Sequence, residues 1–153
     1  MTLDSIGLFI MIAGFILGLG AVTVIDFHGF LARKSKYWTK ATIRAHKITK
    51  PLIWVGMTLL IIGGFILYRK IGFTGIPVYQ SLIALILLLN GVFLSFYISP
   101  KLLKREREGK DDEVLPKTLQ EKIVVSFIVS FLGWWFELLF LVFYLIHVYR
   151  FIY

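Results

Sequence analysis

Of the 153 residues, 58% are hydrophobic and 17% charged, with a mean hydropathy of +0.82, whereas soluble domains carry roughly a quarter charged residues and just under half apolar ones. Cysteine is absent, which excludes a disulfide framework, a thiolate metal site, an iron–sulfur cluster and a cysteine nucleophile. The net charge of +8 does not point to nucleic acid, because the basic residues cluster in short segments between apolar runs, where membrane topology accounts for them.

The first apolar run lies between Asp4 and Asp26, with 21 uncharged residues. At about 1.5 Å per residue it matches a hydrocarbon core of roughly 30 Å. It follows an acidic residue and lacks a small-x-small cleavage site, so it reads as a retained span (5–26) and not as a cleaved signal peptide. Gly14 and Gly18, with Ala13 and Ala21 beside them, form a small-residue face suited to close helix approach.

The segment 27–50 is strongly basic and contains His28 and His46. Span two is expected over 51–68, with Pro51 in its first turn, where a missing N–H costs nothing. A start near Thr42 with a kink at Pro51 is the alternative. A Gly/Pro turn, 72–77, leads to span three over 78–98, where Tyr79, Asn90 and Tyr97 share a face. The segment 99–122 has mixed charge and reads as a solvated helix end plus a loop. Span four, 123–149, contains one charged residue, Glu137, and ends with His147 and Arg150 as interfacial anchors.

The expected fold is therefore all-α, a single domain (1–153), a transmembrane antiparallel four-helix bundle running up-down-up-down. Orientation follows from basic residues. Segments 27–50 and 99–122 carry seven each and the turn between spans two and three carries Arg69 and Lys70. The positive-inside rule then places 27–50 and 99–122 in the cytoplasm and both termini outside. The setting expected is a bacterial or archaeal inner or plasma membrane.

Glu137 stands out among the side chains that carry chemistry. A carboxylate in the hydrocarbon costs roughly 2.5–3.5 kcal/mol on insertion scales, so it should face the bundle and be paired or protonated. At about 100° per residue, Ser126, Ser130, Gly133, Glu137 and Tyr144 fall within roughly 60° of one another, giving span four one polar seam. Asn90 is expected to hydrogen-bond to a neighbouring helix. At the basic side, Asp26 is expected to pair with Arg44 or Lys47. His28 and His46 come from adjacent spans near the same membrane face. Two such imidazoles suit the axial positions of a heme b iron, with Asp26 orienting one of them, or a divalent ion shared with Asp26. No phosphate loop, zinc-hydrolase motif or serine–histidine–acid arrangement is recognisable, so no catalytic residue is assigned.

Three stretches carry a resemblance: GLGAVTVIDFHGF closing span one, HKITKPLIWVGMTLLIIGG entering span two, and LNGVFLSFYISPKL closing span three. In these the chain resembles the CopD-like superfamily of small four-helix membrane proteins, which includes copper-resistance D domains and HemJ-type protoporphyrinogen oxidases. The resemblance implies an antiparallel four-helix bundle and, for some members, heme, porphyrin or copper handling; it carries over no catalytic residue. Three functions follow as expectations. The first is a membrane protein binding heme or a related cofactor, with electron transfer as a role, using His28, His46 and Asp26. The second is a small-solute or proton-coupled carrier with Glu137 as the titrating group and Asn90, Ser130 and Tyr144 along its path. The third is a ligand-free accessory subunit that meets a second copy or another membrane protein through the glycine face of span one and through Trp134–Trp135.

Overall fold

The computed structural model describes residues 2–70, 74–111 and 113–150, without the side chains of 148–150. Helix α1 covers Leu3–Leu31, α2 Lys36–Tyr68, α3 Ile76–Phe93, α4 Ser99–Arg107 and α5 Lys117–Arg150; a π-helical turn, Leu94–Ile98, joins α3 to α4 without a break. Four stretches are long and apolar enough to cross a membrane: Leu3–Leu31, Lys36–Tyr68, Ile76–Arg107 and Lys117–His147.

Local sequence chemistry sets the helix ends. Thr2 caps α1, its Oγ1 accepting from the Ser5 amide at 3.2 Å. Ser35 caps α2 in the same way through the Trp38 amide. Pro77 and Pro100 occupy the first turns of α3 and α4, where no N–H is required. Gly75 and Gly109 take positive φ, 63° and 69°, at the turn before α3 and the turn after α4, a region open to glycine at little cost.

Span two differs from the expected 51–68. The helix starts at Lys36 and continues through Pro51. The strong cap at Ser35 nucleates it, and within a bundle the loss of one backbone hydrogen bond at a proline is tolerated. Most of segment 27–50 is consequently helix, and the connection between α1 and α2 shrinks to residues 32–35. Likewise α4 extends the third span to Arg107. With 33 residues in α2 and 34 in α5, these helices reach about 50 Å at 1.5 Å per residue, well beyond a hydrocarbon core of roughly 30 Å.

The described helices run up-down-up-down, as their pairings show. Gly7 meets Leu67 and Gly18 meets Gly56 between α1 and α2. Gln80 meets Glu137 and Asn90 meets Ser126 between α3 and α5. Gly18 meets Trp134 and Gly29 meets Ile123 between α1 and α5. The α1–α2 contact is the closest. A Cβ on Gly56 would lie 2.4 Å from the Gly18 nitrogen, and one on Gly63 would lie 2.5 Å from the Met11 nitrogen, so backbone meets backbone there. Two apolar cores fill the interior: one around Met11, Phe15, Met57, Leu60, Leu87 and Trp134, the other around Ile43, Ile98, Leu102 and Leu119 at the basic end. Large apolar side chains such as Phe9, Ile16, Phe65, Leu82, Leu89 and Val125 point outward, the surface of an integral membrane protein in contact with lipid.

Both termini and the turn before α3 lie at one end, called here the terminal end. There Asp4 pairs with Arg69 at 2.8 Å and with Lys70 at 3.2 Å. At the opposite, basic end, Lys47 pairs with Glu106 at 2.8 Å and Lys40 with Asp111 at 3.5 Å, tying α2 to α4 and to the loop beyond it.

Candidate functional site: a side cleft with a buried carboxyl at its floor

Helices α2 and α3 touch at two places and part between them. Toward the terminal end the Tyr68 hydroxyl donates to Gln80 Oε1. Toward the basic end Trp54 Nε1 donates to Ser95 Oγ at 3.0 Å and Lys50 Nζ to the Ser95 carbonyl at 3.4 Å. Ser95 sits in the π turn, a geometry that recurs at functional sites. Between these closures lies a cavity of about 330 Å³, walled by Leu60, Ile61, Gly64 and Phe65 of α2 and by Ser81, Ala84, Leu85 and Leu88 of α3. Its floor is Met11 of α1 and Glu137 of α5; Arg69 stands at its rim. Phe65 and Leu85 are themselves exposed on the outer surface, so the cleft opens sideways, toward lipid.

Glu137 is wholly buried, at 0% exposure. Neither of its carboxyl oxygens has a hydrogen-bond partner among the described residues. Its neighbour Gln80 accepts from Tyr68 through its amide oxygen and donates one amide N–H to the backbone carbonyl of Glu137 at 3.1 Å, which leaves its second N–H as the nearest donor to the carboxyl group. Tyr144, one edge of the seam, stacks edge-on against Tyr68 with ring centroids 4.8 Å apart. Ordered structure thus surrounds the carboxyl group and leaves its own oxygens unserved, in a setting where an unserved polar group is costly.

The α5 seam is as expected: Ser126, Ser130, Glu137 and Tyr144 are all buried. Asn90 joins it, accepting from Ser126 Oγ at 2.7 Å and donating to the Ser126 carbonyl at 3.2 Å. Tyr79 does not. It is 57% exposed and stacks on Phe140 at 5.9 Å on the outer surface. Tyr97 is only half-buried, with the Lys101 ammonium 3.7 Å from its ring centre. Tyr97 lies within the π turn, which rotates the helix face relative to Asn90, so a face drawn at constant helical pitch does not extend to it. The inward polar residue near the start of α3 is Gln80; its signal was an amide in an apolar run whose other amide is Asn90.

The inner groups divide. Asp26 (9% exposed) makes no ion pair with Arg44 or Lys47: Lys47 is engaged by Glu106, and Asp26 turns instead toward Ser130. It shares a cavity of about 80 Å³ with His46, Lys50, Ser95 and Ser126. His46 Nε2 and Asp26 Oδ2 are buried there without partners. His28 does not line this cavity. Its Nδ1 is 2.7 Å from the Val24 carbonyl and its ring packs edge-on against Trp38 at 5.2 Å, because two residues along a helix turn a side chain through about 200° from Asp26. Pockets that enclose cofactor-sized ligands run from roughly 300 Å³ upward, and the cavity lined by His46 is about 80 Å³. Among the described residues no three His, Cys, Asp or Glu side chains cluster as a metal site. His147 lies at the terminal end of α5, far along the bundle from both; the Arg150 side chain is outside the described residues.

The chain matches no family model, no curated protein and no solved structure. The reading of the site therefore rests on its geometry alone.

The surfaces expected for a partner are largely used inside the monomer. The glycine face of α1 is filled by α2, and Trp134 is 1% exposed, packed over Gly18 and edge-on to Phe15 at 6.3 Å. Trp135 alone of the pair faces outward.

Proposed function

We propose that this protein is a small-solute carrier of the membrane in which Glu137 is the group that takes up and releases the proton or the solute. The observation that carries the reading is a fully buried carboxyl group, without a hydrogen-bond partner, at the floor of a side cleft of about 330 Å³. A structural glutamate in a bundle is normally spent on a neighbouring helix; here Gln80, the amide nearest to hand, gives its oxygen to Tyr68 and one N–H to the Glu137 backbone. The α2–α3 seam, hydrogen-bonded by Tyr68 toward one end and by Trp54 and Lys50 toward the other, supplies the element that opens and shuts. In this reading the basic end faces the cytoplasm and both termini lie outside, on the strength of its Lys and Arg excess. The likeness to CopD-like proteins agrees with the four-span layout and is not needed for the mechanism.

The test uses proteoliposomes with a pH-sensitive dye trapped inside, challenged in turn with small amines, small carboxylic acids and neutral solutes. Proton movement that depends on one of these classes, and that falls about tenfold or more in Glu137→Gln, supports the carrier reading; a tenfold loss corresponds to about 1.4 kcal/mol. Equal movement in both proteins, or none with any solute, sinks it.

A further inference from the structure

The cleft has a chemical character beyond its size, and it narrows what can sit there. Its walls are aliphatic and aromatic along most of their length, with polar groups gathered at the terminal-end half: Tyr68, Gln80, Ser81 and the Glu137 carboxyl. At about 330 Å³ it falls at the lower end of the range for small-molecule pockets, roughly 300–1,000 Å³. It is open to the side between α2 and α3, so an occupant reaches it from the lipid phase and must itself be largely apolar.

The polar end has a one-sided need. The Tyr68 hydroxyl is already donated to Gln80, and Gln80 uses its oxygen for Tyr68 and a nitrogen for the Glu137 carbonyl. What remains unserved is a pair of carboxyl oxygens, both acceptors when ionised. The titratable and charged groups that face this end are Tyr68 and Arg69 from α2, Tyr144 from α5 and Asp4 at the head of α1; α3 contributes only neutral side chains there. Arg69 at the rim is engaged by Asp4 at 2.8 Å, a carboxylate it shares with Lys70 at 3.2 Å. Among the described residues no cation pairs with the Glu137 carboxyl group.

We propose that the cleft is a binding site for a small lipophilic amine in its ammonium form, seated with its N–H groups on the Glu137 carboxylate and its hydrocarbon body between α2 and α3. Resting on the carrier reading, this names the substrate class of the same site. An apolar body matches the walls and the lateral entrance, and an ammonium supplies both the missing donors and the missing charge. A single carboxyl group cannot hold a proton and an ammonium together. Binding to the protonated group therefore expels its proton to water as R–NH₃⁺ takes its place, one cation in for one out, which is the elementary step of an exchanger.

The experiment measures binding and proton release with purified full-length protein in detergent, using 1-adamantanamine and its neutral counterpart 1-adamantanol. The wild-type protein should bind the amine and release close to one proton per amine bound in a weakly buffered solution. In Glu137→Gln the amine should bind about tenfold or more weakly, with no proton release, while the alcohol binds both proteins alike. Gly64→Leu provides a second variant. A Cβ at Gly64 meets nothing closer than Tyr68 Cε2 at 3.9 Å, so a leucine there extends into the cleft without disturbing the backbone and should weaken amine and alcohol together. Circular dichroism confirms that both variants keep their helix content, and if Glu137→Gln does not fold, Gly64→Leu and the proton count decide the matter. The proposal fails if the alcohol binds the wild-type protein as well as the amine does, if the amine binds without proton release, or if Gly64→Leu leaves amine binding unchanged. Failure here with transport of an acid or neutral solute intact would remove the amine and leave the carrier. Amine binding without any transport would do the reverse.

Discussion

Asn90 and Ser126 show how a polar side chain settles in this bundle. Each serves the other, with Asn90 both accepting from the Ser126 hydroxyl and donating to its backbone carbonyl. Interhelical hydrogen bonds within membranes average about 0.6 kcal/mol, reaching roughly 1.7. Ser126→Ala removes one of the two, so a loss of about 0.5–1.5 kcal/mol is expected in a reversible unfolding titration; no measurable loss would show that the pair contributes little beyond its packing. Glu137 is the contrast, a residue of greater polarity with less provision. Its position on the seam was legible from the α5 sequence, since one charge on a face shared with two serines and a tyrosine has to point inward. The absence of a partner was not legible, because it depends on where the Gln80 amide is spent, and that is decided by Tyr68 on a different helix.

At the scale of elements, the small residues of α1 and α2 decide which helices sit closest. Gly56 is packed against the Gly18 backbone, where a Cβ would come within 2.4 Å of a nitrogen and 2.5 Å of a Cα, and neither helix is able to give way without moving as a whole. Gly56→Ala should destabilise the protein by about 1–3 kcal/mol, seen as a lower midpoint of thermal unfolding in detergent. By comparison Gly20→Ala, with open space around the added carbon, should leave that midpoint unchanged or slightly raised; equal effects at the two positions would show that the α1–α2 contact is looser than described. The small-residue face of span one was plain in the sequence, and its use for helix packing was the expected one. Which helix fills it was not, because Gly56 and Gly63 could serve any neighbour until the antiparallel register is set. The π turn at Leu94–Ile98 was likewise invisible to a reading at constant pitch, and it takes Tyr97 off the expected Tyr79–Asn90–Tyr97 face, while Tyr79, well before the turn, leaves it by stacking on Phe140.

The whole molecule is a bundle longer than a membrane is thick, with the excess at its basic end, where α2, α4 and α5 continue and pack around Ile43, Ile98 and Leu119. We propose from the distribution of Lys and Arg that this end is cytoplasmic, and the chain's lack of cysteine offers a clean check. In vesicles of known sidedness, Lys117→Cys should react with an impermeant maleimide only from the inside and Thr74→Cys only from the outside; both positions are exposed. The opposite pattern would invert the topology. Four apolar stretches of spanning length separated by charge were enough, without coordinates, to determine a four-helix membrane bundle, because the hydrocarbon admits few structures in which every backbone polar group is satisfied. The same sequence pointed to Glu137 by the cost of a charge in that medium. Only the tertiary structure decided that α2 and α3 part to form a cleft, that Glu137 lies unpartnered at its floor, and that His28 and His46 face different surroundings. Those facts depend on side chains from different helices meeting or missing one another, and the distance along the chain between them holds no record of it.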